Sequence, residues 1–211
     1  LLSITKNAYT EWLWYDSLGY RSVYSKGLFT RVWLFFAGAG VFSTIFLANI
    51  FLAQRFARRD EPAVLPPETI ELIRGFTRLG IVAATIMLAL IMGSVSAGQW
   101  ENFLRFVNTA PFVDSQGMLI ADPLNGHNPS FYVFTLPLLR FVQTWLLGST
   151  VVTILGVIAI YGVGYSLRGF NWTFSRSVKI HVASLFGLLA LLVAWSYWFD
   201  IKELVLSSRG L

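Results

Sequence analysis

Four long apolar stretches, at residues 29–53, 79–98, 141–165 and 180–199, are separated by segments whose basic residues fall at alternate ends. About 20 mainly apolar residues suffice to carry a helix across roughly 30 Å of hydrocarbon, and each stretch meets that length. Inside hydrocarbon every backbone polar group needs a partner within the chain, which a helix supplies segment by segment. The pattern predicts an all-α fold: a polytopic transmembrane bundle of four spanning helices, with short interfacial amphipathic helices. Composition agrees, since 55% apolar and 13% charged residues depart far from the norms of water-soluble domains.

Orientation follows from the cations. The segment between the first two stretches carries Arg55, Arg58, Arg59, Arg74 and Arg78, and the one between the last two carries Arg168, Arg176 and Lys179. The positive-inside rule puts both on the cytoplasmic side. The loop 99–140 holds Glu101, Asp114 and Asp122 with few basic residues and is expected outside, as is the tail 200–211. The segment leading into the first stretch carries Lys6, Arg21, Lys26 and Arg31 against Glu11 and Asp16, which blurs the rule there, and parity then sets residues 1–28 outside as well. No signal peptide opens the chain, so an external start predicts a further spanning helix before Leu1. The expected location is a bacterial plasma membrane, or a thylakoid membrane if the source is cyanobacterial.

Two aromatic segments are too short or too polar to span. Residues 9–20 set Trp12, Trp14, Tyr15 and Tyr20 beside Glu11 and Asp16, a mixture suited to the headgroup zone. Residues 131–140 lead into the third span with Pro137 expected to break or bend the helix. Trp100, Phe131, Tyr132 and Arg140 join the first set as interfacial anchors. Residues 60–67 form a Pro-rich break, after which Pro67, Glu68 and Thr69 predict a helix start continuing into the second span. Residues 122–129 are dense in turn formers, with Asn125-Gly126 suited to positive φ.

Small residues recur in the second span at Gly80, Ala84, Thr85, Ala89, Gly93 and Ala97, and in the fourth at Ala183, Gly187, Ala190 and Ala194. Such stripes let helix backbones approach closely, so dispersion replaces the hydrophobic drive that lipid abolishes. Packing within the protein is favoured over contact with a partner subunit.

The catalytic vocabulary is thin. Cysteine is absent and only two histidines occur, His127 in the outer turn and His181 near the cytoplasmic start of the fourth span, too far apart to share a metal. His181 is a weak candidate for an axial bond to haem iron or chlorophyll magnesium; a polar helix-end residue is the favoured reading, and no cofactor is predicted. The span centres hold no ionisable group, which argues against charge-coupled transport. Asn49 and Gln143 lie near opposite ends of their spans, and Arg140 can snorkel to the interface. No serine-based, P-loop or dinucleotide motif is present, and the loop pair Asp114 and Asp122 reads better as solvated turns than as a cation site. The basic residues form no nucleic-acid face.

Several strings in order, YTEWLWYDSLGY at 9–20, GQW at 98–100, TAPF at 109–112, SFYVFTLP at 130–137 and SSRG at 207–210, resemble uncharacterised protein family 0182. These are large integral membrane proteins of bacteria, including actinobacteria and cyanobacteria. The resemblance implies about seven predicted spans and a large extracytoplasmic portion in the family, this chain matching the second through fifth spans. It transfers no functional residue. The expected partners are the lipid bilayer and other membrane subunits, and the expected role is a non-catalytic scaffold or accessory subunit. The alternatives are a transporter or lipid-handling protein, motivated by Pro137, Gln143, Ser149, Thr150 and Thr153, and a pigment-associated subunit through His181.

Overall fold

A computed structural model describes residues 2–57, 66–167 and 175–204. Arg58, Arg59, Arg168, most of the Pro-rich break and the SSRG string lie outside the described residues. The fold is all-helical, with α1 at Leu2–Ser17, α2 at Arg21–Ala57, α3 at Pro67–Ala97, α4 at Trp100–Val107, α5 at Leu136–Ser166 and α6 at Arg176–Glu203. Four helices, α2, α3, α5 extended backwards to Phe131, and α6, are long and apolar enough to cross a membrane. Each exceeds its apolar stretch in the sequence. The 37 residues of α2 reach about 55 Å at 1.5 Å per residue, so α2 outruns roughly 30 Å of hydrocarbon.

Local chemistry explains the breaks. Gly19, at φ 77°, ends α1: its N–H reaches the Asp16 carbonyl and the Tyr20 N–H reaches that of Tyr15, the paired bonds of a Schellman turn. The segment expected as a single aromatic stretch over 1–28 is therefore split, and α2 already begins at Arg21. Pro67 opens α3, where a missing N–H removes nothing the helix uses. Ser175 caps α6 by accepting from the Val178 amide at 3.4 Å. Pro137 does not break its helix. The turn ahead of it, Phe131–Thr135, widens to π geometry, with the Leu136 N–H bonded to the Phe131 carbonyl. That widening accommodates a ring that would otherwise press on the preceding turn.

The spans alternate in direction. One end gathers α1, α4, the loop 108–130 and the π turn; we call it the aromatic end. The other, where α2 and α5 finish and α3 and α6 begin, is the basic end. α2 and α5 form the centre, α3 lies chiefly on α2, and α6 chiefly on α5. Phe42, Phe46, Ile50 and Ala53 of α2 interlock with Trp145, Ile154, Val157 and Ile160 of α5. Gly156 permits this closeness, since a Cβ there would stand 2.7 Å from Phe46.

The small-residue stripes divide. In α3, Thr85 and Gly93 are buried and Ala84, Ala89 and Ala97 half-buried, and a Cβ on Gly93 would stand 2.8 Å from the Phe35 carbonyl. Gly80 is exposed and meets nothing. In α6 the stripe does not pack on the other described helices: Ala183, Gly187, Ala190 and Ala194 are all exposed. The face of α6 that packs is set by Val178, Leu185, Leu192 and Phe199, whose seven-residue spacing forms a stripe of larger side chains and turns the small ones outward.

Candidate functional site

Polar side chains converge at two places, a loop hub at the aromatic end and a buried triad near the basic end. In the hub, Asp122 accepts from the amides of Leu124 and Asn125 at 2.8 Å each, from that of His127 at 3.0 Å, and from the Tyr132 hydroxyl at 2.6 Å. Desolvation pushes its carboxyl up, but the Tyr132 hydroxyl and the three amides outweigh it and hold the group down at about 2. Asn125 donates to Tyr132 at 3.3 Å and accepts from Lys202 at 3.2 Å, tying the loop to the end of α6. Gly126 takes the positive φ expected of this turn, at 69°.

Asn128 acts as a second staple. Its carbonyl accepts from the Phe112 and Ser130 amides, while its amide donates to the Phe112 and Ile120 carbonyls at 2.8 and 2.7 Å. Asp114 caps a tight turn by accepting from the Gln116 and Met118 amides, closed by an isolated bridge between Val113 and Leu119. The carboxylates of Asp114 and Asp122 are thus engaged in turn formation, and among the described residues no group of three or more metal-ligating acidic or histidine side chains assembles.

The aromatic anchors do not form one cluster. Trp12 lies under Arg21 at 4.9 Å and stacks with Tyr9. Trp14 meets Tyr15 edge-on, Tyr15 meets Tyr24, and Tyr20 is exposed. Trp100 opens α4, an amphipathic helix within the expected outer loop 99–140; it lies under Arg31 at 4.3 Å and against Gly27. Phe131 stacks on His127 at 4.5 Å. Arg140 pairs with Asp200 at 2.8 Å, donates to the Ser196 carbonyl and lies over Phe199. Both partners of that pair are well exposed, which limits it to under about 1 kcal/mol.

The triad joins three helices. His181 is buried, with Nε2 3.1 Å from the Asn49 carbonyl oxygen and Nδ1 2.8 Å from the Tyr161 hydroxyl. An amide oxygen only accepts, so Nε2 carries the proton, and in the neutral imidazole Nδ1 receives the Tyr161 O–H, which satisfies both nitrogens. An iron or magnesium ion would have to displace one of these bonds, so the geometry fits a hydrogen-bonded core histidine. Sequence spacing did not join these residues. Their polarity within apolar spans is the available signal, as the lack of a side chain is for Gly38 and Gly156.

A model of the uncharacterised protein family UPF0182 matches residues 1–211. The chain is 32% identical over 211 residues to a UPF0182 protein of Mycolicibacterium vanbaalenii, covering 97% of the chain and 20% of that protein. A UPF0182 protein of Rhodococcus erythropolis is 32% identical over 207 residues, with 95% and 21% covered. One from Bradyrhizobium diazoefficiens is 29% identical over 227 residues, with 100% and 24% covered. The chain spans about a fifth to a quarter of the length of these relatives. No solved structure matches.

Proposed function

The chain belongs to the uncharacterised protein family UPF0182, and from that premise we propose that it is a membrane-embedded, non-catalytic scaffold that seats neighbouring helices of a larger assembly in a bacterial membrane. The observation that carries this reading is the outward stripe Ala183, Gly187, Ala190 and Ala194 on α6. Against lipid a small-residue stripe gains little, whereas against another helix it admits close backbone approach and the dispersion contacts that drive association in membranes. The ordered loop hub supports the same role, because its polar groups are spent on holding shape. Transport is less well supported: Gln143 bonds the Leu192 carbonyl, Thr150 that of Leu146, and Thr153 that of Ser149, leaving few mid-span polar groups for a passenger.

The test exploits a chain without cysteine. Single cysteines replacing Ala190 (on the open face) and Leu185 (on the packed face) are crosslinked in native membranes with a short bifunctional reagent. The scaffold role predicts that Ala190→Cys captures another membrane segment and Leu185→Cys does not. A chain that runs alone and monomeric in mild detergent, uncrosslinked at either position, overturns it.

A further inference from the structure

At the basic end, α2, α3 and α5 enclose a cavity of about 790 Å³ that is unlike the rest of the bundle. One wall carries Arg74 and Arg78, four residues apart and so on one face of α3. Deeper along the same helix lie Ile81 and Val82, faced by Ile160 of α5. Among the described residues no carboxylate pairs with either arginine, Glu68 and Glu71 of α3 included, whereas Arg105 and Arg140 both have acidic partners. Two guanidiniums with no acidic partner among the described residues, over an apolar floor, form an amphipathic receptor.

The depth fits a bilayer. The part of α3 between Arg78 and Ala97 is about 28 Å long, close to the thickness of the hydrocarbon layer. Arg74 and Arg78 then stand at headgroup level, and Ile81 and Val82 one turn inside. A guanidinium presents a planar fork that binds phosphate oxygens bidentately. A free phosphate would use the arginines alone and leave the floor wet; a zwitterionic lipid would set its own cation beside two others. We propose that this cleft holds one anionic phospholipid, its phosphate on Arg74 and Arg78, with Gln54 at the rim, and an acyl chain along Ile81, Val82 and Ile160. The site stands independently of the scaffold role.

Native mass spectrometry of the full chain in mild detergent tests this with equal amounts of phosphatidylglycerol and phosphatidylcholine, and with inorganic phosphate as competitor. Phosphatidylglycerol should be retained preferentially. The double variant Arg74→Gln/Arg78→Gln should lower its retention about 25-fold, at roughly a factor of five per interfacial cation. Arg105→Gln should leave it unchanged, and Val82→Trp, which fills the floor and keeps the charges, should lower it. Circular dichroism and elution volume check folding; should the double variant fail them, Val82→Trp and Arg74→Gln decide. Equal retention of both lipids, retention indifferent to Val82→Trp and the arginine variants, or displacement by millimolar inorganic phosphate each overturns the proposal, the last by showing a phosphate site instead.

Discussion

Asp122 shows how much a single carboxylate organises at the aromatic end. Its carboxyl would ionise near 3.8 in an unconstrained chain and near about 2 in the fold. A depressed value means that the group's contribution is complete above pH 3.8 and is lost as pH falls through about 2. We expect the backbone amide resonances of Leu124, Asn125 and His127 to hold position down to the upper limit and to move together below it. Asp122→Asn, which keeps shape but not charge, should abolish that acid transition; a transition that persists in the variant would assign it to another group. The turn itself was legible, because Asp, Asn, Gly and Pro within eight residues have a local mechanism. The bond to Tyr132 was not, since it spans ten residues and depends on where the π turn aims the ring. His181 makes the same point more strongly: its partner Asn49 is 132 positions away, and nothing in either neighbourhood encodes the other.

At the scale of helices, spacing says which residues share a face but not which face meets a neighbour. The second-span stripe led to a true contact because α2 offers small residues opposite: a Cβ on Gly38 would collide with Ser96, as one on Gly93 would with the Phe35 carbonyl. The fourth-span stripe, spaced by alternating fours and threes, faces out, since Leu185, Leu192 and Phe199 form the larger, better-filled ridge. The two cases separate in one experiment. Gly93→Ala should destabilise the bundle by about 1–3 kcal/mol through overpacking against backbone that has little room to yield. Gly187→Ala, with nothing within 4 Å of its Cβ, should stay within about 0.5 kcal/mol. Denaturation in mixed micelles, followed by tryptophan fluorescence, reads both. Equal costs would mean that α6 packs by its small face after all. Proline was legible only in part: Pro137 announced an irregularity, but whether the chain breaks or absorbs the ring in a wider turn depends on the packing of Tyr132 and Leu136 with Phe199.

For the whole molecule, four alternating spans force the aromatic and basic ends to opposite sides of any membrane they cross, and charge then selects which is which. Arg55, Arg74, Arg78, Arg176 and Lys179 stand at the basic end; the other carries Lys6, Arg21, Lys26, Arg31 and Lys202 as well as Arg105 and Arg140, which pair with Glu101 and Asp200. Cations near span ends resist translocation, and on that ground we propose that the basic end faces the cytoplasm. A cysteine-free chain makes this measurable without background. A membrane-impermeant maleimide should label Gln116→Cys, exposed in the loop of the aromatic end, on intact cells, and Glu68→Cys, exposed at the start of α3, only after permeabilisation. The reverse pattern would invert the orientation and move the arginine cleft to the outer leaflet. Labelling of both on intact cells would require that α3, the single long helix between those positions, does not cross, and would remove the bilayer-depth argument for the phospholipid along with the topology.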